Sequence, residues 1–155
     1  MYGNPAFDCA GAQIHAVCRQ LATVVTVQGV IDDTNIERVT ALALRFVIAE
    51  KPFVLDLSSV SSFSGHALSL LSAVDESCFH SGVEWSLVPS APVMRAMQAA
   101  GLSFPVAESI PDALHHFAAQ WAAGDLFSLW FPAAGLRFAF LWRAGARKAP
   151  AAAPA

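Results

Sequence analysis

The sequence predicts an α/β domain, a mixed and mostly parallel sheet of about five strands with about four helices. Three observations lead there. Hydrophobic residues make up 55% of the 155 positions and charged residues only 14%, a balance found where elements are covered on more than one face. Runs rich in β-branched residues alternate with stretches whose apolar positions recur at three and four, the pattern of strands joined through helices. The run "FVLDL" at 53–57 is apolar but for Asp56, as expected of a central strand.

Residues 1–12 read as a polar N-terminal extension, 13–123 as the domain, and 124–155 as a hydrophobic and then Pro/Ala-rich C-terminal extension. Gln13–Arg19 and Ala22–Ile31 are the first two strands, and the earlier one should pair antiparallel at an edge. Thr34-Asn35-Ile36-Glu37 has capping-box spacing. A helix should follow to about Glu50, with Ile36, Val39, Leu42 and Val47 on its apolar stripe.

Lys51-Pro52 stops that helix before the central strand. "SSVSSFSG" at 58–65 then reads as a loop, with Ser64 as the N-cap of a helix over 65–81 that ends at Gly82. "VEWSLV" is the next strand, Ser90 opens a third helix closed by Gly101, and "FPVA" is a short last strand. Ser109-Ile110-Pro111-Asp112 starts a fourth helix through "ALHHFAAQWAA". The segment Asp125–Trp142 is apolar and aromatic but interrupted by Pro132, Gly135 and Arg137, which disfavours a spanning helix. It is expected to pack on the domain or a partner, with a loosely ordered segment and then membrane contact as the lesser options, and a disordered tail is expected from Arg143 onward.

Residues 1–123 carry five basic and eleven acidic side chains. Nucleic-acid binding, which needs clustered positive charge, is not expected. Cys9, Cys18 and Cys78 form no C-x-x-C and read as reduced, mostly buried thiols. No signal peptide is read at the start, so a cytoplasmic location is expected. The histidines lack metal-ligand spacing, and neither a metal nor a cofactor is expected.

The serine-rich loop lacks the chemistry of an enzyme. A nucleophile elbow requires G-x-S-x-G, whereas Ser62-Phe63-Ser64-Gly65-His66 has neither outer glycine. A phosphate-cradling P-loop requires a lysine, and this loop has none. What remains is its position, at the carboxyl end of a parallel strand and the amino end of a helix, where free amides favour a negative group.

Gly29-Val30-Ile31-Asp32, Val54-Leu55-Asp56-Leu57-Ser58, "SLVPSAPVMRAMQAAGL" and "VAESIPDAL" together resemble the STAS domain, the family of anti-sigma factor antagonists, especially its divergent actinobacterial members. The similarity runs from about Thr23 to Phe117. It implies a STAS-like single domain that acts by binding, not by catalysis. The implied partner is an anti-sigma factor or related protein regulator, and the implied docking residues are Asp32, Asp33, Thr34, Ser62, Ser64, Gly65 and His66. An occupied regulator would release its sigma factor and raise transcription. The alternative on the same fold is a small-ligand or stress-sensing module.

The family's loop carries Asp-Ser-Ser-Gly-Leu, and the serine after the aspartate is phosphorylated. Laid on this sequence without a gap, that pentapeptide falls on Ser64, Gly65, His66, Ala67 and Leu68. The acceptor position is therefore Gly65, which has no hydroxyl, and Ser62 and Ser64 are left as substitute acceptors. A shift by one or two residues would turn Leu68 and Leu71 off their helix face.

Overall fold

A computed structural model describes residues 6–130, with side chains as far as 120. The five strands are β1 (Ala6–Cys9), β2 (Ala12–Cys18), β3 (Thr23–Ile31), β4 (Phe53–Phe63) and β5 (Trp85–Val88), and the four helices are α1 (Ile36–Leu44), α2 (Leu68–His80), α3 (Ala91–Ala100) and α4 (Ile110–Trp130). The sheet order is β1-β2-β3-β4-β5. β1–β2 and β2–β3 pair antiparallel, and β3–β4 and β4–β5 pair parallel. The chain divides into a unit ending at Leu114 and one beginning at His115. In the second, α4 continues to Trp130, past the end expected near residue 123. The remaining C-terminal expectations lie outside the described residues.

The expected edge strand is not at the edge. β1 lies outside β2, held by a two-residue turn in which Ala10 and Gly11 have φ of 48° and 108°. Two positive φ values make the turn that matches strand twist. Its usual signature is Asn-Gly or Asp-Gly, and Ala-Gly hides it.

Buried Ile14, Val25, Val27, Phe53, Leu55 and Leu57 form one apolar face. Val39 and Ala43 of α1, Leu70, Leu71 and Val74 of α2, and Val93 and Met97 of α3 complete that core. Val24, Val54 and Val88 are buried as well, so the central strand is hidden on both faces, as its sequence predicts. The Trp85 indole donates to Asp75 at 3.0 Å and ties β5 to α2.

Two elements end differently from expectation. α1 stops at Leu44, and the amides of Arg45, Phe46 and Val47 bond three residues back, at 3.1–3.2 Å. Phe46, Val47 and Ile48 are weak helix formers, and Phe46 and Val47 pack on the core instead. "FPVA" supplies only one parallel bridge, Val106 to Leu87.

The larger departure is β4, which continues through the serines to Phe63. Its pairing with β3 jumps twice, between Thr26 and Gln28 and between Gly29 and Val30. At each jump β4 spends one extra residue, a β-bulge. The polar side chains serve those bulges. Asp56 accepts the Ser58 amide at 3.0 Å beside the first, and the Ser61 hydroxyl donates to the Gly29 carbonyl at 3.1 Å in the second.

Candidate functional site

β3 and β4 end side by side, with Ile31 opposite Phe63. The loops leaving them therefore meet at one end of the sheet. The Ser64 amide donates to the Ile31 carbonyl at 3.1 Å and fixes where the second loop begins.

The first loop is organised by Asp32 and Asn35. Asp32 accepts both the amide of Thr34, at 2.9 Å, and its hydroxyl, an Asx turn. These bonds, the Thr34 hydroxyl foremost, hold the Asp32 carboxyl below the ordinary carboxylate value. Thr34 is thus drawn away from the capping role its spacing suggests. The residue preceding α1 is Asn35, whose side chain makes no cap bond to that helix.

Asn35 works elsewhere. It is 1% exposed; its oxygen accepts the Asp32 amide at 3.0 Å, and its nitrogen donates to the carbonyls of Val30 and Ala10 at 2.8 and 3.3 Å. One buried amide joins the turn after β1, the end of β3 and the first loop. Gly29 lets that turn come close: a Cβ there would lie 2.4 Å from the Gly11 oxygen, and its φ is +100°.

The second loop contains a 3-10 turn, Gly65–Ala67, leading directly into α2. Ser64 caps it as expected, accepting the Ala67 amide at 3.2 Å. The same hydroxyl donates to Asp33 Oδ1 at 3.0 Å, while His66 Nδ1 lies 3.0 Å from Asp33 Oδ2. Asp33 therefore bridges from the first loop to two residues of the second, and Asp33 and His66 are exposed. Gly65 is exposed, and a Cβ there would meet nothing within 4 Å.

Ser62 lies on the last stretch of β4 and not on a loop. It lines an open groove of about 710 Å³ between the end of β4, the start of α2 and α3; Ser61, Phe63, Gly65, Leu68 and Arg95 also face it. Asp33, Ser64 and His66 are thus linked directly, Asp32 and Thr34 support them, and Ser62 and Gly65 belong to the groove. Sequence reasoning missed Asn35, Ser61 and Arg95. Only Asn35 had a signal, its place three residues beyond "GVID", and the capping-box reading assigned that stretch to Thr34.

The described residues contain no group of three or more His, Cys, Asp or Glu placed to hold a metal. No helix among them is long and apolar enough to cross a membrane.

Residues 13–113 match the model of the STAS domain. The chain is 46% identical over 122 residues to Osmosensory protein A of Mycobacterium tuberculosis, across 75% of this chain and 77% of that protein. Among solved structures it is similar to an anti-sigma factor antagonist from Mycobacterium paratuberculosis, with 25% identity, a TM-score of 0.58, and coverage of 69% of this chain and 94% of that one. A point variant of RsbS from Moorella thermoacetica shares the fold at 15% identity and a TM-score of 0.61, over 70% of this chain and 97% of its own. The sheet order, the loops meeting beyond β3 and β4, and these matches lead to one conclusion: the chain belongs to the STAS domain family.

Proposed function

We propose that this chain is a non-enzymatic docking module of the cytoplasm. Its partner is an anti-sigma factor or related kinase-like regulator, engaged through Asp32–Thr34 and Ser62–His66. The observation that carries the reading is the Asp33 carboxylate, which joins Ser64 and His66 across two loops into one exposed surface. The Ser64 hydroxyl is engaged twice, donating to Asp33 and accepting the Ala67 amide, which fits a structural cap that ties the two loops together. The 25%-identical solved structure, described as an anti-sigma factor antagonist, supports the choice of partner. Occupying the regulator releases its sigma factor.

The two substitute acceptors differ in surroundings. A phosphate on Ser64 would place roughly −1.5 to −2 charges against Asp33, whereas Ser62 is exposed on a groove wall that also carries Arg95. Ser62 is the better acceptor on those grounds. Incubation with ATP and the captured regulator should add phosphate mass that Ser62→Ala removes. The open space at Gly65 accommodates Gly65→Ser, which restores a hydroxyl where the family's acceptor falls.

Affinity capture with the full chain tests the reading. Recovery of a histidine-kinase-like ATPase or sigma regulator, lost with Asp33→Ala and His66→Ala, is the expected result. Capture of such a partner that both variants leave intact would remove these loops from the interface. The name of the 46%-identical relative, Osmosensory protein A, favours a second reading as a stress-sensing module. In that case partner recovery depends on the osmolarity of the medium.

A further inference from the structure

The docking loops lie beyond the carboxyl ends of β3 and β4. The opposite end of the same strands holds a cluster that docking does not use. Cys9 and Cys78 are buried, but Cys18 is exposed. Cys18 closes β2 opposite Thr23, the first residue of β3. Lys51, just before β4, donates from Nζ to Cys18 Sγ at 3.0 Å.

Thr23 supplies an independent observation. It is 2% exposed, and its Oγ1 is buried with no hydrogen-bond partner. A buried hydroxyl without a partner is costly, and strands ordinarily avoid it. A neutral thiol opposite it is a poor acceptor. A thiolate, or an oxygen bound to that sulfur, would give the hydroxyl an acceptor. The Lys51 hydrogen bond, with help from the lysine charge, holds the Cys18 thiol below its ordinary value. Exposure and a lowered thiol are the conditions under which cysteines react.

We propose that Cys18, Lys51 and Thr23 form an oxidative modification site, at which a hydroperoxide converts the Cys18 thiolate to a sulfenic acid. The thiolate sulfur attacks one peroxide oxygen; an S–O bond forms and the O–O bond breaks. Sulfur is oxidised by two electrons and the peroxide is reduced. The departing hydroxide, or the alkoxide of an alkyl hydroperoxide, takes a proton from the Lys51 ammonium and leaves as water or alcohol, and the lysine regains its proton from solvent. The Thr23 hydroxyl then donates to the new oxygen. From Thr23 to Ile31 along β3 is about 26 Å at ~3.3 Å per residue, so the modification leaves the docking loops uncovered.

The test uses the reduced full chain, hydrogen peroxide and dimedone, read by site-resolved mass spectrometry. The adduct is expected on Cys18 and not on Cys9 or Cys78, forming faster than on the same chain unfolded in urea. Lys51→Met and Thr23→Val, which keep the packing volume, should each slow it severalfold while circular dichroism shows the fold intact. The pH inflection of iodoacetamide alkylation at Cys18 should move upward in Lys51→Met, a readout that survives partial loss of stability. A rate no greater than that of the unfolded chain overturns the site. So does a rate that falls in only one of the two variants or in neither, or an inflection that does not move.

Discussion

The two halves of β4 are the same strand under different rules. From Phe53 to Leu57 every residue is buried, and the register with β3 is regular from Thr23 to Thr26. From Ser58 to Phe63 only Val60 is buried, and two bulges interrupt the ladder. The first half is positioned by apolar packing on both faces, the second by hydroxyls and carboxylates that satisfy what the bulges leave open. A bulged, polar strand end can be exposed and still hold its shape, which is what a docking surface requires.

The comparison breaks most visibly where packing alone is removed. Leu55→Ala deletes a fully buried side chain in the regular half and should cost about 3.5 kcal/mol, the middle of the range for such truncations. Urea denaturation followed by circular dichroism measures it. A loss below about 1 kcal/mol would mean that the core around β4 collapses into the gap.

Asn35 supports the polar half from outside the strand. Asn35→Ala strips partners from the Asp32 amide and from the Val30 and Ala10 carbonyls at once. A loss of about 2 kcal/mol is expected, since buried backbone groups without partners are costly. Amide exchange at Asp32 should accelerate while amides of the regular half keep their protection.

The same contrast explains which parts were legible in the sequence. Val54, Leu55 and Leu57 announce a buried strand because hydrophobic burial is written into residue type. α2 and α3 are legible for a related reason: their apolar positions and closing glycines lie close together in the chain. Ser58–Phe63 reads as a loop because each bulge shifts the side-chain alternation by one, which destroys the period-two signal. Of the site, the two loops were legible by position. The Asp33 bridge to Ser64 and His66 was not, because it joins residues 31 and 33 positions apart. The Cys18–Lys51 contact, across 33 positions, was hidden for the same reason.

Within the polar half, Ser64 separates local capping from the cross-loop bridge. Ser64→Ala loses the cap on the Ala67 amide and should cost about 1 kcal/mol. Ser64→Asp keeps a capping oxygen but sets a second carboxylate beside Asp33. It should therefore retain the thermal midpoint better than Ser64→Ala while weakening partner capture more. Equal capture by the two variants would show that the bridge to Asp33 serves folding only.

The smallest effect is also the one with a defined pH signature. The folded chain holds the Asp32 carboxyl below its ordinary value of 3.8 through the Thr34 hydroxyl and amide. A depressed folded value means that the unfolded state binds the proton more readily. The stabilisation is therefore complete above the unfolded value, declines as pH falls toward the folded value, and is absent below it. Asp32→Asn keeps an oxygen that can accept from Thr34 but carries no titrating group. The stability difference between wild type and Asp32→Asn should be steady near neutrality and shrink below about pH 4. Paired urea melts across the acid range measure it. A difference that stays constant down to the acid transition would show that the Thr34 bonds to Asp32 do not depend on its charge.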